Sequence, residues 1–345
     1  MRFYSSIVVV LLSALLISGA SAHAQKSSGK GAGMGRGEGK GQGKGQTQGK
    51  GSGERKLSEQ TIAATDTVNV TLTTGAGNIT VRGWDRKEVH ALAKEEDARV
   101  ALRRVGGGGA EASTPASHVE VRISSKSEDE PDLDESDSPV VLDVPRGATV
   151  FLKTQDGDID VEGVNEVHVE SVGGRVDIRR INRATEAASV GGDVTLEDSS
   201  GRARLTSIGG SIEVKDLRAS DASDFLKTKT ASGDILLDRV ATSRVEANTA
   251  SGEIKLEGAL AHGGFYNFST TNGDVTMVIP ADSSFNLSAR VFEGGEIVTE
   301  FPLKYKGMPS PASHMQAGRM VGTYGSGDAN INLISFSGTL RLRKK

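Results

Sequence analysis

A column of charged and hydroxyl side chains follows a recurring glycine in the second half of the chain. Carboxylates gathered on one face could act as general acid and base on a glycosidic bond, or bind Ca²⁺ beside a proton-accepting basic residue. If the repeats stack in register, the last four members form a carboxylate ladder with neighbours about 4.8 Å apart. Such neighbours repel by about 1 kcal/mol in water, so ordinary turn carboxylates are the favoured interpretation and adventitious Ca²⁺ binding is the alternative. The column comprises Asp158, Arg175, Asp193, Ser211, Asp234, Glu253, Asp274 and Glu296.

Other catalytic arrangements are missing from this sequence. It contains no cysteine, which excludes thiol nucleophiles, thiolate zinc sites and disulfides. The histidines from His90 onward lie in different repeats without metal-ligand spacing, and no Gly-x-Ser-x-Gly elbow occurs in a strand-to-helix setting. We therefore expect no catalytic, cofactor-binding or metal-binding residues, and a protein that is not an enzyme.

The element that must position the column is a repeat centred on the same glycine. The copies step along the chain at intervals of roughly 20 residues, and outlying copies occur at 75–81 and 335–342. The second and fourth residues after each glycine are aliphatic and the residues between them are polar, which predicts a strand with one buried face. Apolar residues seven and five before the glycine predict a second strand. The glycines are Gly157, Gly174, Gly192, Gly210, Gly233, Gly252, Gly273 and Gly295.

Each repeat is too short to bury a core by itself, so the repeats must stack. We predict an all-β fold, a right-handed parallel β-helix (β-solenoid) with rungs of about 18–22 residues. In this arrangement glycine is expected at the corners because it tolerates positive φ. A series of antiparallel hairpins in a meander or prism is the rival geometry.

The N-terminal region has a different composition. Arg2 followed by an apolar run at 7–20 and small residues at 20–24 predicts a signal peptide over 1–24, with an uncleaved anchor as the alternative. Residues 25–56 alternate glycine with polar and basic residues and carry a net charge of +6, which predicts a disordered basic linker. Contact of this linker with anionic polymers is expected to be unspecific, and it has no aromatic residue for nucleic-acid recognition.

The remaining residues, 57–345, are predicted to form one β-solenoid domain. Residues 57–149 form an irregular N-terminal part with an acidic loop at 127–138, residues 150–300 contain the regular repeats, and residues 301–345 supply the last rungs and a cap. The charged insertion and the closing residues 341–345 are expected to protect the ends of the solenoid from edge-to-edge association.

Several motifs in this order resemble a bacterial putative-adhesin domain family. They are the segment 77–85 (GNITVRGWD), the segment 144–147 (VPRG), the serial Ser-Gly-Asp-Ile/Val turns, and the ending 321–342. The resemblance covers about residues 60–343. It implies a β-helix domain of otherwise unknown function with an envelope or surface location.

We accordingly expect an exported, non-catalytic, adhesin-like module of the bacterial cell envelope, periplasmic or at the cell surface, that needs no cofactor and binds an envelope glycan or protein. The first alternative is an envelope-stress or regulatory scaffold that binds another envelope protein. The second is a polysaccharide lyase or hydrolase on a β-helix. The predicted polar binding surface comprises Asp177, Arg179, Asp193, Thr195, Glu213, Lys215, Asp234, Glu253, Lys255 and Asp274.

Overall fold

The computed structural model describes residues 57–106, 114–125, 138–304 and 318–345. The predicted signal peptide, the predicted linker and nearly all of the predicted acidic loop lie outside these residues. Within the described part the chain forms 25 strands and no helix. It follows that no described helix is long and apolar enough to cross a membrane.

The strands of the N-terminal half have these bounds: β1 Glu59–Thr74, β2 Ile79–Trp84, β3 Glu88–Ala93, β4 Ala98–Arg104, β5 Ala116–Ser125, β6 Val140–Pro145, β7 Thr149–Thr154, β8 Ile159–Glu162, β9 Glu166–Ser171, β10 Val176–Arg179, β11 Ala184–Ser189, β12 Val194–Glu197 and β13 Arg202–Ser207. The others are β14 Ile212–Lys215, β15 Leu226–Lys229, β16 Ile235–Asp238, β17 Arg244–Ser251, β18 Ile254–Glu257, β19 Phe265–Asn272, β20 Val275–Ile279, β21 Phe285–Val291, β22 Ile297–Thr299, β23 Arg319–Tyr324, β24 Ala329–Ser337 and β25 Leu340–Lys344.

The regular part is a parallel β-solenoid of two sheets. In each coil from β7 to β20 an odd-numbered strand lies in one sheet, called sheet B here, and the following even-numbered strand lies in the other, called sheet A. Each strand pairs in parallel with the equivalent strand of the next coil, as β8, β10 and β12 do in sheet A. The predicted parallel solenoid is therefore confirmed, and antiparallel pairing is confined to the two ends.

The core lies between the sheets and contains the aliphatic positions identified from the repeat. Ile159 and Val161 of sheet A and Val167 and Val169 of sheet B are at most 2 % exposed. The same alternation continues to Tyr266 and Phe268, the largest buried side chains of the stack. Because every coil adds similar inward pairs, one apolar cluster extends along the whole stack, as expected when neighbouring repeats bury each other's faces.

At the N-terminal end the coil that comes first in the sequence, formed by β1 and β2, is not the outermost coil of the stack. Strands β1 and β2 pair directly with β7 and β8, and β5 and β6 form a further coil on their outer side. Strands β4 and β3 then close that coil by antiparallel pairing. The outward N–H groups of Val100 and Leu102 in β4 donate to Ser58 Oγ at 3.1 Å and Gln60 Oε1 at 2.9 Å, so side chains occupy part of this sheet edge.

At the C-terminal end the order of the coils in the stack differs from their order in the sequence. The chain's final strands, β24 and β25, pair with β19 and β20 and therefore follow them directly in the stack. The copy that comes earlier in the sequence, β21 and β22, lies outside them, and β23 covers β21. The expectation that residues 341–345 form a terminal cap is wrong, because most of them belong to β25, between two other strands.

Candidate functional site

The sequence-predicted column lies at the corner where each coil passes from sheet B to sheet A. The side chain after the glycine points along the stack and accepts the backbone N–H of the equivalent residue in the next coil. Asp158 Oδ1 accepts the N–H of Arg175 at 2.8 Å, and Asp193 Oδ1 accepts that of Ser211 at 2.7 Å. Asp234 Oδ1 accepts the N–H of Glu253 at 2.7 Å. These carboxylates thus satisfy backbone donors that the corner geometry leaves without a carbonyl partner.

The same bond extends the column to Asn78 at its N-terminal end and links Ser211 to Asp234 within it. Asn78 Oδ1 accepts the N–H of Asp158 at 2.9 Å, and Ser211 Oγ accepts that of Asp234 at 3.3 Å. An amide, a hydroxyl and a carboxylate therefore fill equivalent positions. The bond needs a short side chain with an oxygen acceptor, and a negative charge is dispensable for it.

The four-membered carboxylate ladder expected from register is wrong at its C-terminal end. Asp274 faces Thr339 of the inserted last coil and accepts its N–H at 2.7 Å, so Thr339 separates Asp274 from Glu296. Burial raises the pKa of Asp274, but the Thr339 N–H and the Arg341 guanidinium outweigh it and hold the pKa below its ordinary value. Arg341 Nη1 binds Asp274 Oδ2 directly.

The corner glycines are required mainly for close approach. A Cβ on Gly192 would lie 1.6 Å from the carbonyl oxygen of Gly174 in the preceding coil, and one on Gly210 would lie 2.2 Å from that of Gly192. Gly157 and Gly174 do have φ of 108° and 78°, as expected. Gly192 and Gly210 have no φ in the left-handed region, so positive φ does not explain glycine there.

A column of buried hydroxyls stands behind the glycines, and the sequence reasoning missed it. Three residues before every corner glycine except Gly295, which has Phe292 there, the chain carries Ser or Thr, at most 6 % exposed. Thr230 Oγ1, for example, donates to the carbonyl of Gly210 at 2.9 Å, and Ser207 Oγ accepts the N–H of Gly210 at 3.0 Å. The recurrence was visible in the sequence at a constant offset. The column comprises Thr74, Thr154, Ser171, Ser189, Ser207, Thr230, Thr249, Thr270 and Ser335.

The other sequence-predicted surface residues lie on the outward face of sheet A, where most charges have partners. Arg175 Nε lies 3.0 Å from Asp177 Oδ2, and Arg179 Nη2 lies 2.8 Å from Asp160 Oδ1. Thr195 stands in register between Asp177 and Glu213. The structure thus brings these residues onto one face, and any ligand there must compete with existing ion pairs.

Farther along sheet A the cations are again matched by acids. Lys215 Nζ lies 2.8 Å from Glu213 and 3.4 Å from Glu197, and the hydrogen bond to Glu213 is the main cause of its raised pKa. Lys255 forms no ion pair among the described residues and stands in register between Leu236 and Thr276.

Four non-glycine residues with positive φ share one position, directly after the sheet A strand. Arg180, Asp198, Asp216 and Arg239 have φ between 47° and 54°. Arg239 binds both carboxylate oxygens of Asp216, at 2.7 and 2.6 Å, which lowers the pKa of Asp216. Backbone in this region costs of order 1–3 kcal/mol for a residue other than glycine, and the bidentate pair at the same position offsets part of that cost.

The described histidines are dispersed. His90 lies 3.2 Å from Asp143, His168 lies 3.4 Å from Glu186, and His262 lies 2.9 Å from Asp328, each on a different part of the surface. Across residues 57–106, 114–125, 138–304 and 318–345, no group of three or more His, Asp or Glu side chains could hold a metal ion. His314 lies outside these ranges.

Fold and corner geometry together define a two-sheet parallel β-solenoid whose acidic column is built into its hydrogen-bonding scaffold. Residues 65–343 match the family model described as Toastrack DUF4097. The chain belongs to this family, a domain family of unknown function, and the expected membership of an adhesin-like β-helix family is thereby confirmed.

Two solved structures resemble the chain at low sequence identity. One is a "putative cell adhesion protein" from Clostridium sporogenes ATCC 15579, with 10 % identity and a TM-score of 0.26, covering 84 % of this chain and 100 % of its own. The other is a "putative lipid binding protein" from Parabacteroides distasonis ATCC 8503, with 12 % identity and a TM-score of 0.37, covering 84 % and 98 %. No curated protein matches the chain.

Proposed function

We propose that this protein is a non-catalytic, adhesin-like binding module that is exported to the bacterial cell envelope. One observation carries the proposal. The corner carboxylates, which are the best candidates for catalysis in the sequence, already accept backbone N–H groups from the next coil. A catalytic acid or base must exchange protons with substrate, whereas each of these groups holds one oxygen in a hydrogen bond to the backbone of the next coil.

The shape of the domain supports binding along its length. Two sheets present long outward faces on which side chains recur at the strand spacing of about 4.8 Å. Such a regular surface suits a ligand that is itself extended or repetitive, and a solenoid with one continuous core holds the spacing rigid. The N-terminal features that predict a signal peptide support export.

The experiment compares binding with turnover. The full chain is incubated with a panel of acidic and neutral polysaccharides and with an envelope extract, with and without Ca²⁺, and both retention and product release are measured. Retention without product release supports the proposal. Product release that disappears in the Asp193→Asn and Asp234→Asn variants overturns it in favour of a lyase or hydrolase.

Two further measurements address the alternative and the location. Recovery of one stoichiometric envelope protein, with no polysaccharide retained, would replace the proposal with a regulatory scaffold. Fractionation of cells expressing the full chain is expected to place it in the periplasm or at the surface, and a cytoplasmic protein would contradict export.

A further inference from the structure

Sheet B carries a row in which arginine and phenylalanine alternate from coil to coil. The row consists of Arg202, Phe225, Arg244 and Phe265 on strands β13, β15, β17 and β19 or directly beside them, and it is called the arginine–phenylalanine row here. The register of these strands aligns the four residues. Their sequence neighbours Ala203, Leu226, Val245 and Tyr266 are buried, and alternation along a strand therefore turns the row outward.

Cations flank this row along the same coils. Arg204 and Lys227 stand directly opposite each other, and Lys229 lies two residues beyond Lys227. Lys227 Nζ is 5.8 Å from the centroid of the Phe225 ring, within the range of a cation–π contact. Two aromatic rings and five cations thus share a continuous part of the sheet B face.

Most of these cations have no acidic partner. Arg202, Arg204, Lys229 and Arg244 form no ion pair among the described residues, while Lys227 Nζ lies 3.2 Å from Glu246. The other nearby acid, Glu186, is hydrogen-bonded to His168, and this bond, with smaller contributions from Arg204 and Arg202, lowers its pKa. Five cations therefore face two carboxylates, each of which already has a partner.

The fold itself does not call for this arrangement. Like charges directly opposite on neighbouring strands destabilise a sheet, and the outward face of sheet A contains mostly matched ion pairs. Residues 57–345 as a whole carry 11 more acidic than basic residues, so an unmatched basic face is locally unusual. Residues that break a stability rule without a structural gain are candidates for binding.

We propose that this face binds a linear acidic polysaccharide, with sugar rings on Phe225 and Phe265 and anionic groups on Arg202, Arg244 and the flanking cations. The inference rests on the proposed function and names its ligand class. The two rings are separated by two coils, about 9.6 Å at the usual strand spacing. Alternate sugars of an extended polysaccharide recur at a similar interval, whereas stacked bases recur at about 3.4 Å.

The ring exposure also favours a polysaccharide over a bilayer. Phe265 is 46 % exposed and Phe225 is half-buried, so the surrounding sheet covers about half of each side chain. A sugar ring can stack on such a platform, and the arginines can donate paired N–H groups to carboxylates at its edge. Insertion into a membrane interface would require apolar side chains that project farther from the surface.

The test uses the full chain and four probes: polygalacturonate, its neutral methyl ester, vesicles containing phosphatidylglycerol, and a single-stranded oligonucleotide. The Arg202→Ser/Arg244→Ser double variant is compared with an Arg82→Ser/Arg343→Ser double variant, which removes the same charge from the outward face of sheet A. Both pairs are on the surface, and the basic segment 25–56 is present in every protein. The comparison therefore isolates the sheet B face.

We expect polygalacturonate binding to weaken at least tenfold in R202S/R244S, to remain within about twofold of the unchanged chain in the sheet A variant, and to fall with rising salt. The methyl ester should bind poorly, and Phe265→Thr should weaken polygalacturonate binding even at high salt. Equal losses in both double variants, or no loss in either, would overturn the inference. So would binding of vesicles or oligonucleotide, but not polygalacturonate, through the same residues.

Failure of the inference and failure of the proposed function give different results. If the chain retains polysaccharide equally well with and without Arg202 and Arg244, the proposed function stands and the sheet B assignment falls. If the chain cleaves its ligand, the proposed function itself falls.

Discussion

At the residue scale, a single hydrogen bond explains the composition of the corner. Where the residue after the glycine has a short side chain with an oxygen, that oxygen accepts an N–H from the next coil, as at Asn78, Asp193 and Ser211. This accounts for Asp and Asn without invoking chemistry. It also explains why Arg175, which has no acceptor oxygen, interrupts the chain of bonds.

Replacing Asp193 tests this role. Asp193→Asn retains an acceptor oxygen and should leave the free energy of unfolding nearly unchanged, whereas Asp193→Ala leaves the Ser211 N–H without its partner and should cost about 1 kcal/mol. Urea unfolding of the two variants measures the difference. Equal destabilisation by Asn and Ala would mean that the charge, rather than the acceptor, is what the corner uses.

The glycine requirement allows a comparison between adjacent positions. A Cβ on Gly210 would lie 2.2 Å from the Gly192 carbonyl oxygen, whereas on Gly209 the nearest atom would be 3.4 Å away. Gly210→Ala should therefore destabilise the protein by about 3 kcal/mol, and Gly209→Ala should stay within about 0.5 kcal/mol. Thermal unfolding monitored by circular dichroism can rank the two. Similar melting temperatures would show that the coils can separate to admit a methyl group.

At the element scale, the sequence predicted which residues point inward but not which coils are neighbours. The alternation of Ile159 and Val161 with polar residues indicates the buried face, because every second side chain of a strand points to the same side of the sheet. The copies at 292–299 and 335–342 carry the same turn motif, so local pattern could not reveal that the later copy inserts before the earlier one. That order depends on pairing between distant segments, which no short motif encodes.

The arginine–phenylalanine row on sheet B was equally visible in the sequence, but it was not predicted. Arg202, Phe225, Arg244 and Phe265 each stand eight residues before a corner glycine. Alignment on the glycine reveals the apolar inward positions seven and five residues before it, whereas this row occupies the outward position one residue earlier. Its meaning emerges only when the register shows which strands are adjacent.

Truncation tests the inserted position of β25. Removing 339–345 takes away the strand that both β20 and β22 pair with. We expect the C-terminal coils to become sensitive to protease while the coils from β7 to β16 remain resistant, because each coil in a solenoid depends on its immediate neighbours. Limited proteolysis followed by mass spectrometry locates the cuts. Removal of Lys344 and Lys345 alone is the control and should leave the pattern unchanged.

At the scale of the whole molecule, stability should depend on pH through the surface carboxylates. The pKa values of Asp216, Glu186 and Asp274 lie below their ordinary values in the folded protein. A depressed folded pKa means that the stabilisation is present above the unfolded pKa, near 4, and is lost as pH falls through the folded value. The melting temperature should therefore hold steady around neutral pH and decline below about pH 4.

The Asp216→Asn variant separates this effect from general acid unfolding. Asparagine tolerates the positive φ of 53° at this position but cannot form the charged pair with Arg239. The variant should melt below the unchanged protein near neutral pH, and the gap should close at strongly acidic pH, where the aspartate is protonated. A gap that persists or widens in acid would contradict the pKa assignment.

The strands near both chain ends of the described domain lie within the stack rather than at its outer ends. Strand β1 lies between β5 and β7, and β24 lies between β19 and β21. A chain emerging from a ribosome or a translocation pore presents its residues one after another. The strands on either side of β24 and β25 are, however, all synthesised before them. The position between those segments must stay vacant, or open again, until β24 and β25 have emerged. Folding of the C-terminal coils should therefore include a late step, the insertion of β24 and β25, that cannot begin before residue 344 has emerged.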